Sequence, residues 1–505
     1  MDRFSHLPND VLHEALGFLS FTDTIKCSSF CKSMFNLLFK QPHLLFRYYL
    51  DKEFPSYPPF KGLSNMECLK KLLSFHRQCF GWDCLTFCES VSARYLHRSV
   101  VTNDGDLIFF GGAGNSHFND TWKMSLNDSM NNVIFQKFDS TSEPSSRGSC
   151  AMCMFGKNVF CFGGRDSHGT FLNSLLCLST DSGVWTEVHP CVGASRAGES
   201  RWYPPKRWGH TIIEWNGLMI LFGGGEYGQT YNDLWVLDLT SLQLDNTSGE
   251  WTMHHGWKRI NTYILDADAE ARRQPLGRSG HACLVMQEYY MYIMGGNNLL
   301  QTFDDMWRID LRLVAEAYHR DTMAVNEVPW ELIPSEQGDE RPDPQIGHVA
   351  VPLGTRRFLM FGGRNVHGNK MISGFMTYDT VENRWQRFND VRNQELLMNR
   401  TGHCALPHAN GVLFFGGLCE DGQYTAEVVS LDIFSSGCLP SFTSQDELNN
   451  DTSVFSLSNI INSLSISFFS FHSNSNSNSN SDSSSSIMSP RMQITRGPDI
   501  PHDGA

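Results

Sequence analysis

The 505-residue chain lacks several features that define common functional classes. It has no basic excess: 40 Lys and Arg oppose 54 Asp and Glu, a net charge of −14, whereas a dedicated nucleic-acid-binding protein shows a clustered basic surface. The first residues, Met1 to His6, are polar and lack the apolar run of a secretion signal. The 15 cysteines are odd in number and scattered, which favours reduced thiols in a cytoplasmic or nuclear protein.

Motifs for catalysis and for cofactor binding are also missing. The sequence contains no glycine-rich phosphate loop with its lysine and no His-Glu-x-x-His helix. Cys150 and Cys153 have the spacing of half a zinc site, but they fall in a predicted strand, where an offset of three residues points to opposite faces. We therefore expect core thiols, and no catalytic residue, metal or cofactor.

What the sequence does contain is an internal repeat. An apolar stretch ending in a glycine pair occurs six times, at Gly111-Gly112, Gly163-Gly164, Gly223-Gly224, Gly295-Gly296, Gly362-Gly363 and Gly416-Gly417. A basic-x-Gly-His phrase precedes several pairs, at Arg207–His210, Arg278–His281 and Arg400–His403, with Gly347-His348 as a partial copy. An acidic-x-Trp phrase follows several pairs and ends at Trp122, Trp235 and Trp307. A fixed order of phrases in successive copies predicts a repeat architecture.

The pattern resembles the kelch repeat, each copy of which forms one four-stranded blade of a β-propeller. The resemblance implies an all-β, six-bladed kelch propeller over residues 81–440. Continuous apolar runs suit strands buried on both faces between blades, and the glycine pair permits a tight bend. Because the recurrent Arg and His residues occupy equivalent positions in separate repeats, we expect structural hydrogen bonding from them rather than metal binding.

The strand count predicts how the ring of blades closes. After the sixth glycine pair, Tyr424–Asp432 supplies a third strand, but no convincing Trp-bearing fourth strand follows. Gly81–Phe87 stands ahead of the first repeat as a strand without a blade of its own. We expect this N-terminal strand to complete the last blade, which removes an exposed sheet edge; the alternative is that Leu439–Thr443 does so.

Residues 1–50 have a different, helical pattern. Leu-Pro-x-Asp-Val-Leu at the start and Pro-His-Leu-Leu-Phe near the end resemble the F-box, a small all-α domain. The residues that match its motif are Leu7, Pro8, Leu12, Leu19, Cys31, Pro42, Leu44 and Phe46. The resemblance implies that these residues bind a Skp-family adaptor and, through it, the cullin scaffold.

The remaining segments connect or extend these two domains. Residues 51–80 read as a linker with a short helix. Residues 441–505 form a Ser/Asn-rich, low-complexity tail that we expect to be disordered. The apolar stretch Val454–Phe471 within it is interrupted by polar residues too often for a membrane span to be expected.

The order of F-box and kelch repeats implies a substrate-recognition subunit of an SCF-type ubiquitin ligase, a non-catalytic role. One alternative is a kelch scaffold that binds proteins without driving their degradation. Another is a copper oxidase of the galactose-oxidase type, which also uses kelch repeats but is secreted. Whether a bound partner becomes ubiquitinated separates the first two.

Loops at one end of the predicted blades supply the candidate target site. The second and fifth repeats share the phrase Gly-Gly-Arg-x-x-His-Gly, and six blades would place these two repeats opposite each other. The candidate residues are Arg165, His168, Trp202, Tyr203, Glu226, Tyr227, Asn297, Asn298, Arg364 and His367. Two arginines across one opening predict a positive pocket for an acidic or phosphorylated segment. The alternative is that both phrases only stabilise turns.

Overall fold

The computed structural model describes most of residues 91–433, together with Gly81–Leu85 and seven residues between 49 and 72. Within 91–433, the residues outside the description are 128–131, 141, 191–202, 245–250, 254, 265–273, 321–326, 335–340, 367–369, 389–398 and 409–410. The chain divides into two compact units, Pro42–Pro440 and a second made of Met1–Gln41 with Ser441–Ala505. Every described residue belongs to the first unit, so the expected F-box helices and the tail lie outside the description.

The described residues are mostly β-strands, which we group into repeats I to VI. Strand β1 (Gly81–Leu85) comes first. Repeat I has β2 (Arg98–Val101), β3 (Leu107–Phe110), β4 (Thr121–Asn127) and β5 (Asn132–Lys137). Repeat II has β6 (Arg147–Gly148), β7 (Ala151–Phe155), β8 (Asn158–Asp166), β9 (Phe171–Ser179) and β10 (Trp185–Pro190). Repeat III has β11 (Thr211–Trp215), β12 (Leu218–Phe222), β13 (Gly225–Glu226), β14 (Gln229–Thr230), β15 (Leu234–Asp238), a 3-10 helix (Leu239–Ser241), β16 (Leu242–Leu244), β17 (Trp251–Met253) and β18 (Lys258–Ile264).

The later repeats follow the same order. Repeat IV has β19 (Ala282–Met286), β20 (Tyr290–Met294), β21 (Met306–Asp310), helix α1 (Leu311–His319) and β22 (Glu327–Leu332). Repeat V has β23 (Val349–Leu353), β24 (Arg357–Phe361), β25 (Arg364–Asn365), β26 (Lys370–Met371), β27 (Phe375–Asp379) and β28 (Arg384–Phe388). Repeat VI has β29 (Arg400–Thr401), β30 (Cys404–His408), β31 (Gly411–Phe415), β32 (Leu418–Cys419) and β33 (Val428–Asp432). In the described part of the chain, no helix is long and apolar enough to cross a bilayer.

Each repeat is built on an antiparallel meander. In repeat III, β11 pairs with β12, β12 with β15, and β15 with β18. The second strand of each meander carries the apolar run of the sequence repeat, and all five residues of Leu218–Phe222 are buried. A strand can be apolar on both faces only where a neighbouring sheet covers each face, so this pattern follows from packing between repeats.

The first and last repeats are joined by the N-terminal strand. β1 pairs antiparallel with β33, in a register that runs from Gly81 opposite Asp432 to Leu85 opposite Val428. β33 continues through β31 to β30, which gives the last repeat four strands. The pairing confirms that the strand before repeat I completes repeat VI; the alternative segment, Leu439–Thr443, lies outside the described residues.

The innermost strands meet around a common axis. They contact one another in the cyclic order β2, β7, β11, β19, β23, β30 and back to β2. Six backbone hydrogen bonds, which we call the axial ring, follow the same cycle. They are Leu96 N to Gly402 O (2.7 Å), Gly402 N to Gly347 O (2.8 Å), Gly347 N to Gly280 O (2.9 Å), Gly280 N to Gly209 O (2.8 Å), Gly209 N to Ser149 O (2.9 Å) and Ser149 N to Leu96 O (2.9 Å).

The outer strands carry connections that the sequence repeat does not predict. In repeat III, the hairpin β16–β17 extends to repeat II, where β17 pairs parallel with β10. β18 pairs parallel with β22, which links the outer edges of repeats III and IV. Helix α1 is capped at its C-terminus by Lys258, whose Nζ donates to the carbonyl oxygens of Ala317, Tyr318 and Arg320. These additions cover sheet edges that would otherwise be open.

The recurrent arginines are structural. Arg94, Arg207, Arg278 and Arg400 are fully buried and form ion pairs with Asp120, Asp233, Asp305 and Glu427, at 2.7, 2.8, 2.6 and 3.0 Å. These ion pairs explain the acidic-x-Trp phrase. The indole of Trp235 donates a hydrogen bond to Asp233, the same carboxylate that pairs with Arg207. Repeat II has no acidic residue at this position, and Arg147 donates to the hydroxyl of Ser174 instead.

The recurrent histidines pack against the glycine pair of the preceding repeat. A Cβ added to Gly223 would lie 3.0 Å from Cε1 of His281, and one added to Gly163 would lie 2.9 Å from Cε1 of His210. Both glycines also have positive φ angles, 68° and 65°. The first glycine of each pair is therefore needed for its conformation and for close approach.

Whether each of these histidines forms a side-chain hydrogen bond depends on one residue of the preceding repeat. That residue directly follows the preceding repeat's own copy of the histidine position. His281 Nε2 lies 2.9 Å from the hydroxyl of Thr211, and His97 Nε2 lies 3.1 Å from the thiol of Cys404. His210, His348 and His403 find no side-chain partner among the described residues, and the equivalent positions before them hold Ala151, Ala282 and Val349. Burial lowers the pKa of all five histidines, so they are neutral in the fold.

Cys150 and Cys153 lie on opposite faces of the repeat II sheet, as the strand period predicts. Cys153 packs in the apolar core between repeats II and III, whereas Cys150 packs in the core between repeats I and II. Both side chains are buried. Their thiols point into two separate cores, which does not fit a shared zinc site.

Candidate functional site

One end of the axis, which we call the mouth, is built from two concentric sets of residues. The inner set precedes the axial ring by one residue in each repeat: Tyr95, Gly148, Trp208, Ser279, Ile346 and Thr401. The outer set follows the glycine pairs: Ala113, Arg165, Gly225, Asn297, Arg364 and Leu418. Each inner residue pairs antiparallel with the outer residue of its own repeat. The loops after the glycine pairs and the connections between repeats therefore meet at the same end, as expected from an up-and-down meander.

Arg165 is exposed at this end of repeat II. Its Nε donates to the carbonyl oxygen of Gly169 at 3.4 Å, and its guanidinium lies 5.8 Å from the ring centroid of Phe171. The carboxylate of Asp166 accepts hydrogen bonds from the backbone amides of His168 and Thr170. The turn is thus held mainly by Asp166, and the exposed guanidinium keeps donors available to solvent.

Arg364 is half-buried at the equivalent position of repeat V. Its backbone pairs with that of Ile346, in the same way as that of Arg165 pairs with Gly148. Among the described residues, its guanidinium makes no hydrogen bond and no ion pair. Repeats II and V are three steps apart in either direction of the axial cycle, so the two arginines stand across the mouth from each other.

Both arginines act electrostatically on Tyr95, which lies on the inner set of the mouth. Burial is the largest influence on the pKa of the Tyr95 hydroxyl and raises it, as does the nearby Tyr424. The positive charges of Arg165 and Arg364 lower that pKa. Because such an effect falls off with distance, the potential of both guanidinium groups reaches the same inner residue.

Tyr227 joins repeats II and III above Arg165. Its side chain is 75% exposed, its hydroxyl donates to the carbonyl oxygen of Gly169 at 3.0 Å, and its ring lies edge-on to Phe171. Glu226, by contrast, accepts hydrogen bonds from Tyr231 and Gln229 inside its own hairpin. The exposed side chain of Tyr227 is therefore accessible to a partner, whereas the carboxylate of Glu226 stabilises its own hairpin.

Asn297 and Asn298 shape the loop of repeat IV. The side-chain oxygen of Asn297 accepts a hydrogen bond from the hydroxyl of Ser279 at 3.2 Å. That of Asn298 accepts from the backbone amides of Leu300 and Gln301, at 2.9 and 2.8 Å. The tight turn holds Leu299 and Leu300 in solvent, with 67% and 86% of their surfaces exposed.

Tyr203 is half-buried at the edge of the core between repeats II and III. Its ring packs against Phe162 and Trp257, and burial raises the pKa of its hydroxyl. Its part in target binding stays a prediction. Trp202 and His367 lie outside the described residues, as do all eight residues of the F-box motif.

Other mouth residues were not found by sequence reasoning. Trp208 and Ile346 are half-buried on the inner set, and Tyr95 stacks on Tyr424 with ring centroids 5.1 Å apart. Trp208 lies between Arg207 and Gly209, and Ile346 lies between Gln345 and Gly347; this position of the repeat phrase holds a different residue in each copy. That variability inside a fixed phrase is the signal that could have identified them.

The opposite end of the strands contacts residues 53–54. A Cβ added to Gly354, in the turn between β23 and β24, would lie 2.8 Å from the backbone oxygen of Glu53. Phe54 is buried beside it. The glycine pair of repeat V lies at the other end of β24, so residues 53–54 and the mouth are at opposite ends of this strand.

The chemistry available at the mouth is that of binding. In the described part of the chain, no group of three or more His, Cys, Asp or Glu side chains is arranged to hold a metal ion. A pocket of about 150 Å³ is lined by Asp343, Asn365, Lys370, Ile372 and Ser373. Cationic, aromatic and amide groups on turns held by hydrogen bonds suit recognition of a peptide or protein surface.

Comparison with known proteins identifies two domains. Residues 4–44 match the model of the F-box domain, and residues 129–315 match that of the KLHDC2/KLHL20/DRC7 kelch-repeats domain. The chain is 26% identical over 289 residues to an F-box/kelch-repeat protein of Arabidopsis thaliana, covering 55% of this chain and 53% of that protein.

Other relatives share shorter or weaker regions. Adagio-like protein 1 of Oryza sativa is 27% identical over 333 residues, covering 58% of this chain and 50% of that protein. Tip elongation aberrant protein 1 of Schizosaccharomyces pombe is 29% identical over 236 residues, covering 45% of this chain and 18% of that protein. The chain thus spans about half or less of the length of these relatives. The two matched domains, an F-box and kelch repeats, are the two that name the Arabidopsis relative.

Proposed function

We propose that this chain is the substrate-recognition subunit of an SCF-type ubiquitin ligase. The observation that carries the proposal is the order of domains: an F-box at residues 4–44 followed by kelch repeats in one polypeptide. The F-box binds a Skp-family adaptor and, through it, the cullin scaffold. The kelch repeats form a six-bladed propeller that captures a target protein, and the chain itself has no catalytic role.

The six-bladed arrangement is supported by the axial ring. Its six hydrogen bonds visit each repeat once and return to Leu96. The pairing of β1 with β33 supplies the fourth strand of the last blade. A ring closed in this way is a rigid platform, because no blade can leave without breaking contacts on both sides.

The separation of two ends supports a role as a bridge. Residues 53–54, which follow the F-box in the sequence, contact the end of repeat V that is remote from the mouth. A target bound at the mouth would therefore not compete with this contact. Ubiquitination follows from proximity, since holding target and ligase in one complex raises their effective concentration.

The target binds at the mouth through Arg165 and Arg364. An exposed guanidinium and a half-buried one, on opposite repeats, bring positive charge to the mouth of a protein of net charge −14. Guanidinium groups form charge-assisted, bidentate hydrogen bonds with carboxylates and phosphates. An acidic or phosphorylated segment of the target fits this arrangement.

The adaptor interaction is tested by replacing Leu7, Pro8 and Leu12 together with Ala. We expect loss of co-purification with a Skp-family adaptor, because these residues match the start of the F-box motif and central anchors of an interface each cost about 2 kcal/mol or more when truncated. The unfolding transition of the kelch repeats should be unchanged. Retained adaptor binding by the triple variant would contradict the F-box assignment.

The target interaction is tested by Arg165→Ala combined with Arg364→Ala. The readout is proximity labelling of target proteins in cells, with and without proteasome inhibition, followed by ubiquitination of the enriched proteins in a reconstituted complex. The matched control is Arg320→Ala with Arg384→Ala, which removes two exposed arginines far from the mouth. We expect target capture to be lost only in the mouth variant, with adaptor binding retained in both.

The scaffold alternative predicts a different outcome. Partners would be captured at the mouth, but none would gain ubiquitin or accumulate on proteasome inhibition. Undiminished target capture by the mouth variant would place the binding surface elsewhere, and an equal loss of folding would assign both arginines to stability.

A further inference from the structure

The floor of the mouth is made by a leucine at a position where the repeat uses small residues. The six residues of the axial ring are Leu96, Ser149, Gly209, Gly280, Gly347 and Gly402. A Cβ added to Gly402 would lie 3.1 Å from Cδ2 of Leu96, and one added to Gly148 would lie 3.7 Å from its Cβ. The half-buried side chain of Leu96 therefore lies over the ring, between the first repeat and its two neighbours.

Leucine is an unfavourable residue for this backbone conformation. Its φ angle is 57°, and the four glycines of the ring have φ angles of 64° to 67°. A side chain with a Cβ is strained there, whereas glycine adopts this region freely. Four repeats form the same hydrogen bond with glycine, so closing the ring does not require the leucine. Strain kept without structural need is a reason to look for a binding role.

The inner set surrounds Leu96 with apolar side chains in alternate repeats. Repeats I, III and V contribute Tyr95, Trp208 and Ile346, all half-buried. Repeats II, IV and VI contribute Gly148, Ser279 and Thr401, all buried. This alternation of three large and three small side chains predicts an apolar depression above Leu96. The stacking of Tyr95 on Tyr424 holds one wall in place.

The charged groups lie outside this apolar centre. Arg165 and Arg364 belong to the outer set, in repeats II and V, and so flank the depression from opposite sides. An apolar centre within a charged rim is typical of a binding hot spot, in which a buried anchor supplies affinity and the charges supply orientation and specificity.

We propose that the mouth recognises a short peptide segment that carries a bulky apolar side chain next to an acidic or phosphorylated residue. The apolar side chain packs on Leu96 among Tyr95, Trp208 and Ile346, and the anionic group pairs with Arg165 or Arg364. This inference rests on the proposed use of the mouth for target capture and specifies the chemistry of the captured segment. The positive charges of Arg165 and Arg364 at the mouth make a basic peptide the less favourable occupant.

The test uses the purified full chain and a phage library of random dodecapeptides. Selected peptides are expected to combine Asp or Glu with Leu, Ile, Phe or Trp within a few residues. The best peptide is then synthesised with a fluorescent label, and its dissociation constant is measured by anisotropy, with and without phosphoserine in place of the acidic residue. The optimal peptide should bind at least ten times more tightly than versions with Ala at the apolar or at the acidic position.

Variants of the chain separate the two contacts. Leu96→Gly and Trp208→Ala should each weaken binding about tenfold or more and abolish the preference for the apolar residue. Arg165→Gln with Arg364→Gln should abolish the preference for the acid. Leu313→Ala is the matched control, since Leu313 is partly exposed on α1 and distant from the mouth. Leu96→Gly places the residue of four other repeats in the ring, so the unfolding midpoint should not fall.

Two results would overturn the proposal: selected peptides without the acidic and apolar combination, or unchanged affinity in Leu96→Gly and Trp208→Ala. Failure of the proposed function looks different. Peptide recognition as described, without ubiquitination of any protein that contains the motif, would leave this inference standing and contradict the ligase role.

Discussion

The guanidinium of Arg207 donates two hydrogen bonds to the carboxylate of Asp233, and these side chains are only 0% and 8% exposed. A third donation from Arg207, at 2.7 Å, goes to the carbonyl oxygen of Gly223. The pair thus joins the start of a repeat, its glycine pair and its third strand. Burial alone would raise the pKa of Asp233, but hydrogen bonds from Arg207 and its positive charge hold that pKa below its usual value.

Replacement of Asp233 by Asn should destabilise the protein strongly. It leaves the buried guanidinium of Arg207 without its counter-charge, and breaking a buried pair in this way costs about 3–5 kcal/mol. The measurement is the free energy of unfolding from urea titrations. The control is Asp181→Asn, which removes an ion pair with Lys157 whose side chains are 66% and 73% exposed; its cost should be below about 1 kcal/mol. Equal effects of the two changes would contradict the structural role of the repeat arginines.

Substitution of two glycines with similar φ angles should give different results. Gly223→Ala forces a Cβ to within 2.9 Å of the carbonyl oxygen of Arg278, at a φ of 68°. Gly228→Ala has a φ of 71°, but no atom lies within 4 Å of the added Cβ. We expect a loss of about 1 kcal/mol at Gly228 from backbone strain alone and roughly 2–4 kcal/mol at Gly223, where overpacking is added. Similar losses in unfolding free energy would show that conformation, not close approach, explains the glycine pair.

Stability should fall as the pH drops below about 6.5, the value at which histidine titrates in the unfolded chain. Burial lowers the pKa of His348 to about 4, so between these values the unfolded state binds more protons and is favoured. For His348 alone the loss at pH 5.5 is about 1 kcal/mol. Urea unfolding at pH 7.5 and 5.5 measures the loss of unfolding free energy between these pH values. His348→Leu should reduce that loss by about 1 kcal/mol. An unchanged loss in this variant would mean that other groups dominate the acid sensitivity.

Deletion of Gly81–Phe87 should open the last sheet. It removes the partner of β33 and leaves that strand as an unpaired edge, so we expect aggregation in size-exclusion chromatography. The matched control is truncation after Pro440, which leaves every described strand in place and should yield a monodisperse protein. A monodisperse deletion variant would indicate that another segment can complete the sheet.

The sequence predicted the repeats, the strands that end in glycine pairs and the closure by the N-terminal strand. These features depend on local chemistry, because apolar runs and paired glycines have the same structural consequence in every copy. It did not reveal the copies at Arg94–His97 and Arg147–Cys150, in which Leu96 and Ser149 replace the ring glycine. The distance from Arg94 to Gly111, 17 residues, and from Arg147 to Gly163, 16 residues, matches that of the recognised copies and would have identified both.

The candidate site was predicted less completely. The positions of Arg165 and Arg364 on opposite repeats followed from the shared phrase and the count of repeats. The role of Tyr203 stays a prediction, because a tyrosine in a long insertion fits contact surface and core equally well. The exposure of Leu299 and Leu300 was not predicted from the sequence; the turn made by Asn298 places them in solvent. Exposure of an apolar pair therefore depended on one side-chain hydrogen-bond acceptor.

The pairing of β1 with β33 also determines when, during translation, the ring of repeats can close. β1 leaves the ribosome before any repeat, yet its partner is the last described strand to be translated. Repeats I to V can assemble on the nascent chain from contacts within each repeat and between neighbouring repeats. During this time the backbone groups of β1 have no partner from β33. The ring closes only when residues near 432 emerge, so a ribosome that stalls within repeat VI holds a nearly complete protein with two open edges. Chaperone binding to such a chain should persist until β33 is released and then end abruptly.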